Sequence, residues 1–534
     1  MRNIREDSLS HQFISHYSVT GGLPLKEKLL EIKSAFMDYF KEREAEINGS
    51  LLAVLSGENL LFLGPPGTAK TLLAKNICQS IEGGNFFNYL LTSFSTPEEL
   101  FGPLSLKALE KDEFRRKIDG CLPTAHIALL DEIFKASSAI LNSLLTILNE
   151  HKYHNGRELV DVPLLSVFGA SNEFPDENES LEALYDRFLF RYRLAYIQNE
   201  ENFRNLLFRS PEEFKPAASL KISAIYELRE RAKDLPVDPD VELIITELRK
   251  SLQFQEIEIS DRRWKKVIQV LKVAACSSEC PTVDRTMVLL LQHMLWNLPE
   301  ERETIRKTVF EFTISGGIST EKLRQEADDL QAAVSIALKN ELPVKVVCDS
   351  CGEEFGLRQE IETHHNSYLN HSYTLKTESS SRIYPYDNLV KEIDSLHETA
   401  GKASSLPQAQ KEVFENELKN LANRVERIKY RLEEERDLLK NLMEANIWLS
   451  TLDRNEALLL HDTRSIELSE LNDLISKSWS MLGLESKQAQ PEPRPEPKPA
   501  KGTEKKELEK APVPDSGSSV NSFMKGIGSR LRLR

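Results

Sequence analysis

The segment Asn59–Thr71, NLLFLGPPGTAKT, leaves the chain few ways to fold. Leu60–Leu63 is an apolar run that reads as a buried parallel strand. A Gly/Pro turn follows, and Thr71–Gln79 resumes at helical spacing. A strand that delivers a glycine-rich loop to a helix start aims backbone N–H groups and the positive end of the helix dipole at one spot, which traps phosphate. In such a loop Gly64, Pro65, Pro66, Gly67, Thr68, Ala69 and Leu72 belong to the nucleotide cradle. Lys70 reaches the β- and γ-phosphates of ATP, and the Thr71 hydroxyl ligates Mg²⁺. The general pattern has glycine immediately before the lysine, where this chain has Ala69; the entry into the helix is expected to give alanine a backbone conformation it tolerates.

A second half of the site is visible downstream. Ile127–Leu130 is another apolar strand, ending in Asp131-Glu132. Asp131 is expected in the Mg²⁺ shell, and Glu132 beside it to polarise the attacking water. A third strand, Leu164–Ala170, ends at Ser171-Asn172, where an amide can orient that water. One Asp-Glu after an apolar run is an ordinary strand terminus; three strand ends in this order argue against that reading. Arg187 follows the third strand by about 15 residues, a distance that lets it project from the domain edge into a neighbouring subunit's site as an arginine finger. Arg262 opens a helix that Ser260 or Asp261 can cap. Surface ion pairing is the alternative role for either arginine, and Arg191 and Arg263 are rival candidates.

Gly64–Thr71, Thr96–Gly102, Asp119-Gly120 with Leu122-Pro123, Leu130–Ile133, Ala139–Glu150 and Ala170–Glu173 together resemble the MoxR group of AAA+ ATPases. That group itself tends to carry alanine before the lysine. Phe94–Glu99, Ser180–Phe188 and Ser260–Lys266 look most like its RavA regulatory ATPases. The resemblance spans about Leu23–Leu298. It implies an α/β P-loop AAA+ core with an all-α lid, a ring of six subunits and ATP hydrolysis at their interfaces. It also implies a partner bearing a von Willebrand factor type A domain, and chaperone-like remodelling or activation of a protein client. By the same resemblance Arg187 is the finger, Arg262 the lid sensor, and 150–163 the hairpin inserted before the third strand, with its turn at His154–Arg157.

The rest of the chain is organised by charge and periodicity. Its 534 residues carry a net charge of −15, with 40% hydrophobic and 29% charged residues, and no apolar run approaches a membrane span. Met1–Gln12 lacks the apolar core of a secretory signal, and six cysteines are too sparse for a disulfide scaffold, so a cytoplasmic location is expected. The expected divisions are an N-terminal extension (1–22), the ATPase core (23–200), a helical lid (201–305), a small β-containing Cys/His segment (306–385), a helical arm (386–483) and a disordered Pro-rich tail (484–534). The tail is net +4, which leaves −19 on the body. Ser522–Arg534 reads as a frayed terminus or as a short docking helix for an acidic partner. In the arm, Leu418, Leu421, Val425, Ile428 and Leu432 form a heptad seam, continued by Leu439 and Leu442. An antiparallel hairpin with Leu449–Trp479 and a coiled coil between chains both satisfy it.

Cys348 and Cys351 are followed by His364, His365 and His371. Cys348, Cys351, His364 and His371 have the ligand types of a tetrahedral Zn²⁺ site. His371 lies about 10 Å beyond His364 along a regular helix, so the helix must loosen, near Asn370, for both to reach one ion. Reduced buried thiols or a redox pair are the alternatives. Cys276 and Cys280 read as core.

The leading functional expectation is an oligomeric ATPase that remodels a protein partner. A nucleotide-locked scaffold and a nucleic-acid translocase on the same core are the competing readings, the latter disfavoured by the acidic body.

Overall fold

The computed structural model describes residues 24–174, 179–208, 213–317, 320–376, 381–399 and 406–484. The N-terminal extension, the Pro-rich tail from residue 485 and its terminal basic segment lie outside the described residues.

Helices α1 (Leu25–Tyr39) and α2 (Glu44–Ser56) lead into a five-stranded sheet. Its strands are β1 (Asn59–Leu63), β2 (Phe86–Leu90), β3 (Ile127–Asp131), β4 (Ser166–Ser171) and β5 (Phe188–Arg193). Their order is β2-β3-β4-β1-β5 and every pairing is parallel. All residues of β1 and β4 are buried, as expected where both faces of a parallel sheet are covered. Register pairs Leu63 with Ser171 and Leu90 with Asp131. Because the strands are parallel, the loop after β1, the acidic pair after β3 and the amide after β4 emerge at one edge of the sheet. Helix α3 (Lys70–Gln79) follows the glycine-rich loop. Helix α4 (Ser138–Glu150) leads to a hairpin, Lys152–Asn155 with Glu158–Asp161, whose turn is Gly156-Arg157.

The lid contains α5 (Ile222–Lys233), α6 (Pro239–Phe254), α7 (Asp261–Ser277) and α8 (Glu301–Ser315). The Ser260 hydroxyl caps α7 by accepting from the Arg263 amide at 3.2 Å. Val267, Val270, Leu271 and Val273 of α7 join the same core as the sheet.

Helix α9 (Thr320–Asn340) falls inside the 306–385 segment of the sequence reading, yet it packs as part of the arm. Leu323, Ala327 and Val334 share a core with Leu418, Leu421, Val425, Leu432, Leu468, Leu471 and Ile475. That core unites α9 with two long helices of the same chain, called α12 (Gln408–Ala445) and α13 (Thr451–Met481) below. The heptad seam is therefore satisfied within one chain, as a hairpin to which α9 adds a third helix. Between α9 and α12 lies a β module. Strands β6 (Glu341–Cys348), β7 (Glu354–Leu357), β8 (Ser372–Lys376) and β9 (Ser381–Pro385) form an antiparallel sheet in the order β7-β6-β8-β9. Helices α10 (Arg358–Ser367) and α11 (Tyr386–Thr399) complete the module.

The turn between α12 and α13 is apolar and sits in the body. Ile447, Trp448 and Leu449 are at most 3% exposed. The Trp448 indole donates to the Ala274 carbonyl at 3.2 Å and to the Ser277 hydroxyl at 2.9 Å on α7. Asn48 of α2 donates to the Trp448 carbonyl at 3.1 Å, and Lys33 of α1 donates to the Ile447 carbonyl. Farther out, Arg436 pairs with both carboxylate oxygens of Asp462, at 2.9 and 3.0 Å. No helix among the described residues is long and apolar enough to cross a membrane.

Candidate nucleotide-binding site

The loop after β1 is built on backbone conformations that side chains resist. Gly64 comes so near Leu194 that a Cβ would lie 2.4 Å from the Leu194 carbonyl oxygen, and Gly67 has φ +80°. Ala69 is left-handed as well, at φ +64° and ψ +23°. This corrects the expectation of an ordinary helix entry there, since the position is one that glycine occupies without strain. The Ala69 carbonyl still accepts the first helical bond, from the Leu73 amide at 3.0 Å. Thr68 donates to the Pro65 carbonyl at 3.0 Å, while Pro66, Thr71 and Leu72 are exposed at the rim.

Lys70 is 6% exposed and donates to the Gly64 carbonyl at 2.7 Å and to Asn172 Oδ1 at 2.9 Å. Burial pulls its pKa below the usual lysine value, against the upward pull of Asp131 and Glu132. Asn172 Nδ2 in turn donates to Glu132 Oε1. Glu132, itself at φ +52°, forms an ion pair with Lys135 at 3.3 Å. The Asp131 carboxylate accepts from the Glu132 amide at 3.0 Å. Lys70, Asn172 and Glu132, which are 102 and 40 residues apart in sequence, thus form one bonded chain at the sheet edge. Lys135 extends it and was not singled out from sequence; its signal is its place three residues after Glu132. This donor set, a buried ammonium with carboxylates and a hydroxyl beside a loop of positive-φ residues, fits a Mg²⁺-bound polyphosphate.

The four arginines separate cleanly. Arg191 is 1% exposed: its guanidinium donates to the Phe188 carbonyl at 3.0 Å and the Tyr185 carbonyl at 3.3 Å, and stacks over the Tyr185 ring at 4.0 Å. Arg263 donates to Asp186 and to Asn297 Oδ1, both at 2.6 Å. Both rivals are thus committed to the interior. Arg187 and Arg262 make fewer contacts, although the buried Nε of Arg263 also lacks a partner among the described residues. Arg187 meets Asp186 at 3.3 Å, and its buried Nε has no partner among the described residues. Burial first, and then the charge of Arg262, pull its pKa down. Arg262 donates to Asn149 Oδ1 at 2.8 Å and is otherwise exposed. Arg187 immediately precedes β5, and its carbonyl accepts from Asn59 at the start of β1. It therefore stands at the edge opposite the phosphate loop, about 17 Å away along β1. Arg187 cannot reach the loop of its own chain. Arg262, beside it, shares that edge. Asp186, which bridges Arg187 and Arg263, was missed from sequence although it adjoins Arg187.

The Cys/His residues also converge. One donor atom from each of Cys348, Cys351, His364 and His371 lies within 4.8 Å of all the others. Helix α10 ends at Ser367, earlier than the expected loosening near Asn370, and this early end lets His371 turn back to the cluster. Cys276 and Cys280 pack with the main core, as expected.

The chain is similar to known proteins over this region. Residues 25–225 match the MoxR domain described for MoxR-vWA-beta-propeller ternary systems, and residues 240–309 match an AAA lid domain. An uncharacterized protein of Methanocaldococcus jannaschii is 40% identical over 319 residues, covering 60% of this chain and 81% of its own length. A second from the same organism is 41% identical over 286 residues, covering 53% and 76%. The solved structure of a candidate ATPase from Cytophaga hutchinsonii covers 53% of this chain and 94% of its own at 20% identity, with a TM-score of 0.44.

Proposed function

Because this chain belongs to the MoxR family of AAA+ ATPases, we propose that it hydrolyses ATP at subunit interfaces of a ring, six subunits in number, and uses the cycle to remodel or activate a protein client. In this reading Lys70 exchanges the Gly64 carbonyl and Asn172 for the β- and γ-phosphates. Thr71 and Asp131 hold Mg²⁺, which when bound neutralises charge on the phosphate oxygens. Glu132 takes a proton from the attacking water, and Asn172, bonded to Glu132, orients that water. Arg187 acts on a neighbouring subunit's nucleotide as a finger, and Arg262 accompanies it from the lid. A partner with a von Willebrand factor type A domain is supported by the description of the matched domain, and a cytoplasmic setting by six free cysteines. The closer likeness to the RavA regulatory ATPases is part of the same proposal.

The single observation that carries the reading is the bonded chain Lys70–Asn172–Glu132 at the end of three parallel strands. Its test is ATP turnover by the purified full chain, by Lys70→Ala and by Glu132→Gln. Turnover lost in both variants supports it; comparable turnover in all three overturns it.

A further inference from the structure

We propose that the β module between α9 and α12 is held together by one structural Zn²⁺ bound by Cys348, Cys351, His364 and His371. The four ligands come from the end of β6 and its turn, from α10, and from the residue before β8, whose ladder with β6 sets Tyr373 opposite Cys348. Cys348 ends β6, and Gly352, at φ +76°, reverses the chain just past Cys351. The reversal is closed by the Gly352 amide on the Cys348 carbonyl at 2.8 Å and the Cys348 amide on the Glu353 carbonyl at 2.9 Å. This knuckle turns both thiols toward α10 and the start of β8. There, Cys351 Sγ is 3.2 Å from His364 Nε2, and Cys348 Sγ is 3.3 Å from His371 Nδ1.

A tetrahedral zinc with Zn–S near ~2.3 Å and Zn–N near ~2.0 Å has donor-to-donor edges of roughly 3.3–3.8 Å. The sulfur–nitrogen edge of that tetrahedron is about 3.5 Å, so the two edges above, at 3.2 and 3.3 Å, are within about 0.3 Å of it, and no edge exceeds 4.8 Å. A contraction of about 1.5 Å at most along the longest edge closes the shell. The second shell is also in place. His364 is buried, and its Nδ1 lies 3.1 Å from the hydroxyl of fully buried Tyr373. With Nδ1–H donated to Tyr373, the lone pair of Nε2 faces the thiols. Four protein ligands leave no open position, so the site is structural and not hydrolytic.

The module needs such a staple. Among the described residues its own buried apolar cluster is eight, Val346, Cys348, Phe355, Ile361, Tyr373, Leu375, Leu389 and Ile393, and one of them is a ligand. A segment of ~60 residues is marginal on hydrophobic burial alone. Binding as thiolates releases the two thiol protons to solvent, and the binding free energy becomes folding free energy of the module.

The test uses the full chain. Elemental analysis of protein purified without added metal is expected to give ~1 zinc per chain, falling at least about tenfold in Cys351→Ser and His371→Ala. Cobalt(II) added to the chelated protein should produce the intense visible absorption of a tetrahedral thiolate–imidazole site. Tyr373→Phe, which keeps the ring in the core, should weaken zinc competition against a chromophoric chelator by about 10- to 100-fold. Chelation should make the module cleavable by protease within 341–399, and zinc should reverse this. Wild-type protein that holds under about a tenth of an equivalent even after incubation with zinc, a Cys348–Cys351 disulfide in freshly isolated protein, or variants that keep their metal would overturn the proposal.

Discussion

Ala69 is the residue whose replacement gives the sharpest reading of the phosphate loop. At φ +64° and ψ +23° it occupies left-handed space, which costs an L residue about 1–2 kcal/mol and glycine almost nothing. Its methyl is exposed, so Ala69→Gly gives up little packing. Against the relief stands the greater freedom of glycine in the unfolded chain, about 0.5–1 kcal/mol. The balance is a stabilisation of about 0.5–1 kcal/mol, opposite in sign to an ordinary glycine substitution in a helix. A multidomain chain does not unfold in one step, so the suitable assay is native-state hydrogen exchange at the first turns of α3. The Leu73 amide, bonded to the Ala69 carbonyl, should exchange about two- to fivefold more slowly in Ala69→Gly. Lys75→Gly, at an exposed interior position of the same helix, should accelerate exchange by a similar factor. If Ala69→Gly also accelerates exchange, the strain argument is refuted.

Other outcomes follow from the same geometry. Arg187→Ala should leave ATP binding within about threefold of wild type while lowering turnover about 10³-fold, and mixing it with Lys70→Ala subunits should restore part of that turnover; a mixture no more active than its components would exclude action in trans. Burial lowers Lys33 from its usual 10.5 to about 8. Below pH 8 both states are protonated and the charged form carries a penalty of about 3 kcal/mol. As pH rises from 8 toward 10.5 the unfolded state binds more protons than the folded one, so stability should increase. Lys33→Met should flatten that rise relative to wild type in the hydrogen-exchange protection of α1, corrected for the intrinsic pH dependence of exchange. Trp448→Ala removes a buried indole and its two hydrogen bonds, and should cost about 3–5 kcal/mol locally, seen as protease cutting at 446–450 before any cutting in the sheet.

The parts legible in the sequence were those with local causes. An apolar run, a glycine-rich turn and a helix predict the phosphate loop wherever they occur, and parallel strands place Asp131, Glu132 and Asn172 beside it. Backbone angle was not legible at Ala69, because alanine prefers right-handed space and the surrounding loop overrides it. The arginines were equally opaque: Arg187, Arg191, Arg262 and Arg263 share one chemistry, and only tertiary neighbours such as Asp186 and Asn297 commit two of them to the interior. A heptad seam states that a helix needs an apolar partner and not which one. The discriminating signal was the apolar Ile447-Trp448-Leu449 turn, too short and too greasy for an exposed loop, which fixes the two long helices back to back in one chain. The Leu323, Ala327, Val334 face of α9 likewise chose its core by proximity to α12 and α13 and not by its own pattern.

Helix α7 connects the nucleotide-related edge to the arm. Its 17 residues span about 25 Å. Arg262 stands in the first turn beside Arg187, Arg263 is tied to Asp186, and Lys266 one turn on is paired with Glu58 ahead of β1. The last turns carry Ala274 and Ser277, which seat Trp448. The middle is buried in the sheet's own core, so the helix has no soft point at which its two ends can move independently. Under the role proposed for Arg262, a displacement of the first turn would reach the seat of Trp448 through the buried middle of α7. Trp448 closes the hairpin of α12 and α13, so an arm whose first helix has 38 residues, about 57 Å in length, is anchored at the far end of α7.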